Sequence, residues 1–263
     1  DGGMPLLAKV WDGSRGRVGD NLGYNLCFAT ASPGMSRRIV PLHMAMWSAK
    51  EEGFTSENDK VLEVIGKIAR ACEGRGIYVY DRGGDGNWLF DFFVKEGLDF
   101  IVRLVGDRHL LHWNGRRPAA DLAGTCEMKC RDRVAFRSHG RELEVPIEYG
   151  SIPARLPEHP AAGLRLVVVK WPRCEKPMML LTTLRAARSR KSLRQAVEGY
   201  LTRWRVEETI RFVKQAYEVE DVRLLRFGRL KAMVAIVLAT AYFAMAWLGL
   251  GDKLAVLADH VKR

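Results

Sequence analysis

A short, fully apolar run between two helical segments constrains the fold of this chain more than any other feature. The run, Ile77–Tyr80, follows a glycine and ends abruptly in the polar sequence DRGGDG. Because successive residues of a strand point to opposite faces, a continuous apolar run indicates burial on both faces, which is typical of parallel strands. Residues 77–80 are therefore predicted to form a buried, central, parallel strand of an α/β domain.

The segments around this strand support the same fold class. Residues 1–21 are rich in Gly and Asp and are predicted to be loop. The elements that follow alternate between strand and helix, and Ser56 or Asn58 can cap the first helix. This order predicts a mixed α/β sheet. The predicted elements are an antiparallel strand pair, a helix, a second helix and a strand: Leu22–Thr30, Arg38–Trp47, Asn58–Cys72, Asn87–Glu96 and Phe100–Leu104.

The pattern changes over residues 106–184, where Pro and Gly separate short β-like runs and helical periodicity is absent. Helices resume near Ser192, with a break around residues 217–223. Three regions are therefore expected, with boundaries at 1–105, 106–184 and 185–263. The β-like runs of the middle region are Val134–Arg137, Leu143–Tyr149, Leu164–Lys170 and Met178–Thr183.

The charge of the chain points to a polyanionic partner. The net charge is +11 and the isoelectric point is about 9.6, which favours nucleic acid or an anionic membrane face as the partner. The alternative is a basic protein that has no such partner. One uncharged stretch, Met233–Leu250, is at the short limit of a membrane span. A core or dimer-contact helix is the better interpretation, and no membrane association is predicted. Five cysteines without a disulfide pattern, and no signal peptide, indicate the cytoplasm.

Asp81 is a candidate metal ligand because it follows the apolar strand directly. Ligands of open α/β sheets gather at the carboxyl ends of strands, and Gly83 and Gly84 would leave room for close approach. The alternative is a turn residue that caps the next helix. Asp85 fits that cap better, since it lies just before the predicted helix. A single Asp at a strand end leaves both interpretations open.

A second candidate lies on the helix around Glu207. At about 100° per residue, Tyr200, Arg203, Glu207 and Lys214 share an arc of about 60° on one helix. Such a polar stripe suits the border of an active site. A solvated helix face with an Arg203–Glu207 ion pair explains the same pattern.

These residues carry a resemblance to a known family. The segment YLTRWRVEETIRFVK has the spacing Tyr-x2-Arg-x3-Glu-x6-Lys, which resembles the signature of DDE transposases of bacterial insertion sequences. The segment IYVYDRGGD resembles the region around their second catalytic aspartate. The resemblance implies a ribonuclease-H-like mixed sheet with a β-rich insertion and C-terminal helices. It also implies that Asp81 is the second acid and Glu207 the third.

The resemblance further implies a metal-dependent enzyme that cuts and joins DNA. Two Mg²⁺ ions, replaceable by Mn²⁺, would be held in part by Asp81 and Glu207. The expected partners are double-stranded DNA, as terminal inverted repeats and target, and a second copy of the chain on paired ends. The expected location is the bacterial cytoplasm. The expected DNA-binding residues are Tyr200, Arg203, Arg211 and Lys214, with Arg103 on the sheet.

The first acid of the family has no counterpart here. Its expected strand falls before residue 1, and Asp1, Asp12 and Asp20 do not match it. The chain is therefore expected to be a fragment that binds DNA without cleaving it. The alternative function is that of a catalytically inactive remnant that binds element ends and inhibits transposition.

Overall fold

The structure is a computed structural model that describes residues 4–12, 17–32, 39–113, 115–138, 141–172, 174–184, 189–219 and 222–247. It contains two compact units. One unit is residues 71–203, and the other combines residues 1–70 with 204–263.

In the described residues, strands come first, strands and helices then alternate from α1 to β6, strands dominate the middle, and helices follow. The strands are β1 Ala8–Asp12, β2 Arg17–Gly23, β3 Asn25–Ala31, β4 Val40–Trp47, β5 Ile77–Tyr80, β6 Asp99–Arg103, β7 His109–His112, β8 Gly115–Pro118, β9 Cys130–Ser138, β10 Arg141–Leu156, β11 His159–Lys170 and β12 Met178–Thr182. The helices are α1 Glu57–Ala71, α2 Asn87–Lys95, α3 Ala119–Gly124, α4 Arg190–Thr202, α5 Trp204–Tyr217 and α6 Phe227–Tyr242, with a 3₁₀ turn at Arg82–Gly84 and a π-helical segment at Phe243–Trp247.

A mixed sheet forms the centre of unit 71–203. Its strand order among the described residues is β5-β6-β12-β11-β10-β7-β8, with β9 paired to β10. Only β5 and β6 run parallel to each other. Phe100 on β6 packs against Phe90 and Phe93 of α2, whereas its neighbour Ile101 belongs to a core cluster with α4. Since adjacent strand residues point to opposite faces, helices cover both faces, and the predicted α/β class is confirmed.

The prediction for the strand over residues 77–80 was half right. β5 is parallel to β6, as expected, but it stands at one end of the described strand order rather than at its centre. Its four residues are only half-buried. The residues buried on both faces belong to β6 instead, where Phe100, Ile101 and Val102 are inaccessible to solvent.

The β-rich character of residues 106–184 is confirmed, since every predicted strand there is found. The short helix α3 was not predicted. β12 pairs with β6 in the central sheet, so this region extends the sheet that begins with β5 and β6. The division of the chain at residues 105 and 184 stays a prediction.

The described part of the other unit contains two strand pairs and three α-helices. The predicted antiparallel pair is present as β3 and β4, and Ser56 caps α1 by accepting a hydrogen bond from the backbone of Asp59. The prediction that residues 1–21 are loop was wrong, because β1 and β2 form an antiparallel pair there. A core formed by β4, α5 and α6 includes Met44, Val213, Val234, Val237 and Ala241.

The apolar segment near the C-terminus is helical over Phe227–Trp247 and is long and apolar enough, by length and composition alone, to cross a membrane. Leu230 and Val234 on one face are buried, whereas Ile236 on the other is exposed. One such helix is weak evidence for a membrane span, because the core helices of many proteins have the same composition.

A partly buried polar network joins the start of α4 to the sheet. Asp132 on β9 accepts hydrogen bonds from the hydroxyl of Tyr149 at 2.5 Å and from Arg190 and Arg194 at 3.1 and 3.4 Å. The bond from Tyr149 holds the pKa of Asp132 below its usual value. Burial, reinforced by Asp132, raises the pKa of Tyr149.

We expect Asp132→Asn to lower the free energy of unfolding near neutral pH by about 1–2 kcal/mol. The substitution removes the charged acceptor of the hydrogen bond from the buried Tyr149 hydroxyl. A carboxylate whose pKa is lowered by folding stabilises the folded protein at pH values above its pKa in the unfolded chain, about 3.9. This stabilisation is lost as the pH falls through the pKa of the carboxylate in the folded protein. Urea unfolding from pH 7 to pH 3 should therefore show the variant and the wild type converging at acid pH. Asp91→Asn, which alters a solvent-accessible pair with His159, is the control. A difference that does not change with pH would contradict this account.

Candidate active site

Asp81 lies at the carboxyl end of β5, where the chain leaves the sheet. Its backbone is still extended, and one carboxylate oxygen accepts a hydrogen bond from the backbone of Gly83 at 2.9 Å. The bond orients the carboxylate by closing the 3₁₀ turn. The side chain is 48% exposed. Asp81 thus presents an oriented and accessible carboxylate on a strand end, as a metal ligand requires.

Gly84, one of the two glycines that follow Asp81, lies in a tightly packed position. Gly84 is buried, and a Cβ atom there would lie 2.5 Å from the ring of Tyr80 and 2.7 Å from the side chain of Leu89. A Cβ at the exposed Gly83 would meet the Asp81 carboxylate at 3.1 Å. Gly84 therefore permits the turn to pack against β5 and α2, which places Asp81.

The prediction that Asp85 caps α2 was wrong. Gly86 occupies the cap position, and no side chain caps the helix there. The Asp85 carboxylate instead accepts hydrogen bonds from the Arg108 guanidinium and, at 2.7 Å, from the backbone of Val105. Arg108 also lies over the ring of Phe90. This nearly buried ion pair ties the turn after Asp81 to the loop after β6, so Arg108 has a structural role.

Arg203 brings a second charged group to Asp81. Arg203 ends α4, and its guanidinium nitrogen is 3.7 Å from the second carboxylate oxygen of Asp81. The guanidinium lies 6.0 Å from the ring centre of Tyr200, and its side chain is only 16% exposed. The sequence grouped Arg203 with Glu207 but did not reveal its neighbour Asp81, because that contact joins segments more than 100 residues apart.

Tyr200 does not lie where the helical wheel placed it. The ring is 1% exposed and belongs to the core between α4 and the sheet, so it is not accessible for stacking on a base. The wheel assumed one continuous helix, whereas α4 ends at Thr202 and α5 begins at Trp204. The single polar arc from residue 200 to residue 214 was therefore wrong.

The polar stripe does exist within α5. Glu207 and Lys214 are exposed, while Thr209 and Val213 on the same helix are buried. Spacing of seven residues puts Glu207 and Lys214 on the same side of the helix. A shallow surface groove is lined by Glu207, Ile210, Arg211, Lys214 and Gln215.

A sequence model of the transposase DDE domain matches residues 46–244, about three quarters of the chain. The chain belongs to the DDE transposase family. The match includes Asp81, Arg203, Glu207 and Lys214. A search of curated proteins found no match. The mixed sheet with helices on both faces and further helices at the C-terminus agrees with the ribonuclease-H-like fold of these transposases, which act in transposition by cutting and joining DNA.

The two predicted acids, Asp81 and Glu207, lie in different units. Asp81 belongs to unit 71–203 and Glu207 to the unit that contains residues 204–263. Their shared binding of one metal therefore stays a prediction, as do the DNA contacts of Arg103, Arg211 and Lys214. Arg103 is half-buried at the end of β6.

Transposases of this family generally use divalent metal ions, and the donor chemistry of both acids fits Mg²⁺. Each offers hard carboxylate oxygens on an accessible side chain, and the Asp81 carboxylate is already oriented by its turn. Among the described residues, no group of three or more His, Cys, Asp or Glu side chains is arranged to hold a metal. The His112 ring packs against Trp113.

Proposed function

We propose that this domain cleaves DNA strands and joins them to target DNA at the ends of a bacterial insertion sequence. The observation that carries the proposal is the oriented, half-exposed Asp81 carboxylate at the carboxyl end of a parallel strand, with Arg203 3.7 Å away. Double-stranded DNA is the substrate, and a homodimer on paired ends in the cytoplasm is the acting form. The acidic and basic side chains of α5 add the third acid and phosphate-binding groups.

Asp81 and Glu207 would hold the divalent ions. When bound, the ions would supply activation of an attacking oxygen and stabilisation of the leaving oxygen of the scissile phosphate. Arg203 contributes a positive charge next to Asp81, and its planar guanidinium can contact a phosphate through two parallel hydrogen bonds. Tyr200 supports this role indirectly, because its buried ring lies beside the Arg203 guanidinium.

Arg211 and Lys214 would bind the DNA backbone next to Glu207. Both side chains are exposed on α5 and line its groove. The segment from Arg185 to Lys214 has nine Lys or Arg against three Glu, so phosphate binding there would release counterions and weaken as salt rises. The net charge of +11 agrees with such a partner.

Lys214→Ala should weaken DNA binding and lower the slope of log affinity against log salt by about one, since one phosphate contact is lost. Arg203→Ala should also weaken DNA binding and lower the salt slope if the Arg203 guanidinium leaves Asp81 to bind a phosphate. Fluorescence anisotropy with a labelled duplex, from 50 to 300 mM salt, measures both. Lys231→Ala is the matched control, because that exposed cation is paired with Glu51. A wild-type slope for Lys214→Ala would contradict its DNA role, and one for Arg203→Ala would restrict Arg203 to its pair with Asp81.

A further inference from the structure

The β7–β8 hairpin presents an exposed aromatic side chain at its tip. His112 at the end of β7 pairs with Gly115 at the start of β8, and Trp113 directly follows β7. Trp113 is 76% exposed, more than any other large apolar side chain in the described part of the chain. An isolated exposed apolar residue is ordinary, so its surroundings decide whether Trp113 has a function.

The surroundings of Trp113 combine a supporting ring with two cations. The His112 ring lies 3.9 Å from the Trp113 ring, centre to centre. Burial, and then the charge of Arg117, lower the pKa of His112. Arg116 and Arg117 on β8 are both exposed. Because consecutive strand residues point to opposite faces, the two arginines flank the hairpin on both sides.

An accessible indole ring with flanking arginines is the chemistry that binds unpaired nucleotides. Aromatic rings stack on the faces of bases, and cations contact the adjacent phosphates. A partner protein would use the same tryptophan as an apolar anchor in a dry pocket. The two exposed arginines and the net charge of +11 favour a polyanion.

We propose that the β7–β8 hairpin is a DNA-contacting element in which Trp113 stacks on an unpaired base while Arg116 and Arg117 contact backbone phosphates. The proposal rests on the proposed function, because it takes DNA as the substrate. It adds a binding site for locally unpaired DNA to the sheet of unit 71–203, at residues that the predicted DNA contacts do not include.

The test compares two labelled duplexes of one sequence, one fully paired and one with three unpaired nucleotides, in buffer that contains a chelator. The full chain should bind the second duplex about tenfold more tightly, within the range that base stacking provides. Trp113→Ala should abolish this preference and Trp113→Phe should retain most of it. Trp247→Ala, which removes a side chain of nearly equal exposure, 74%, should leave the preference unchanged. Arg116→Ala and Arg117→Ala should weaken the binding of both duplexes and lower the salt slope.

Each other outcome overturns a different statement. Tight, salt-dependent binding of both duplexes without a preference, or a preference that survives Trp113→Ala, would overturn the hairpin proposal and leave the proposed function intact. Failure of the wild-type chain to bind either duplex would overturn both. A lower self-association constant for Trp113→Ala in sedimentation, with unchanged DNA preference, would overturn DNA stacking and assign Trp113 to a contact between copies of the chain. Thermal unfolding of each variant confirms that the fold is retained.

Discussion

Asp81→Ala and Glu207→Ala are each expected to lower the rate of metal-dependent DNA strand cleavage by about a thousandfold or more. Each substitution removes a predicted carboxylate ligand of the metal. In phosphoryl transfer, metal ions stabilise the charge that develops in the transition state, and this lowers the activation free energy by several kcal/mol. The measurement is nicking of a supercoiled plasmid that carries the gene with its flanking DNA, in Mg²⁺ or Mn²⁺. Because Asp1, Asp12 and Asp20 do not match the family's first acid, the assay is run on this chain and on a version extended upstream.

The controls are carboxylates with partners elsewhere. Asp91→Asn alters the pair with His159, and Glu198→Gln alters the pair with Arg194 on α4. Both variants should cleave at nearly the wild-type rate. Cleavage by the Asp81→Ala variant within tenfold of wild type would remove Asp81 from the site. Metal-dependent cleavage by the short chain would show that Asp1, Asp12 or Asp20 serves as the first acid.

Gly84→Ala is expected to destabilise the protein by about 1–3 kcal/mol and to lower cleavage with it. The added Cβ atom would lie 2.5 Å from the Tyr80 ring and 2.7 Å from Leu89, and overpacking of a closed site has a cost of this size. Since the ring is fixed at the end of β5, the turn must shift, and Asp81 begins that turn. Urea unfolding measures the stability change.

Gly163→Ala is the matched control for this substitution, because a Cβ atom at that position on β11 would meet no atom within 4 Å. It should leave both stability and cleavage close to wild type. If Gly84→Ala is as stable as Gly163→Ala, the glycine is not required for packing. The original expectation that it leaves room for a ligand would then be the better explanation.

Local signals in the sequence were sufficient for the elements that position Asp81. The apolar run before it, the capped helix α1 and the strand β6 each have a distinct period or boundary residue, and all three were predicted close to their observed bounds. The β-rich middle region was recognised for the same reason. β1 and β2 were missed because their Gly- and Asp-containing sequence resembles a turn region and gains its pairing from the partner strand.

Contacts between segments that are distant in the sequence could not be predicted from local patterns. Asp85 resembles a helix cap in sequence, yet its carboxylate pairs with Arg108, 23 residues later. Tyr200 was assigned to a polar arc on the assumption of an unbroken helix, and the end of α4 at Thr202 places its ring in the core instead. The contact between Arg203 and Asp81 depends on the strand order of the sheet, which no local pattern encodes.

The central prediction is that Asp81 and Glu207 bind the same divalent ion. The most direct measurement is Mn²⁺ affinity by electron paramagnetic resonance in a double-mutant cycle. The variants are Asp81→Asn, Glu207→Gln and the double substitution. If both carboxylates hold one ion, each single substitution should weaken the tightest site by about tenfold or more. The double substitution should then weaken it by much less than the product of the two, because the effects of residues in contact with one ion are not additive. Independent, multiplicative effects, or an unchanged affinity in Glu207→Gln, would contradict a shared ion and with it the assignment of this pair as the acids of the transposase.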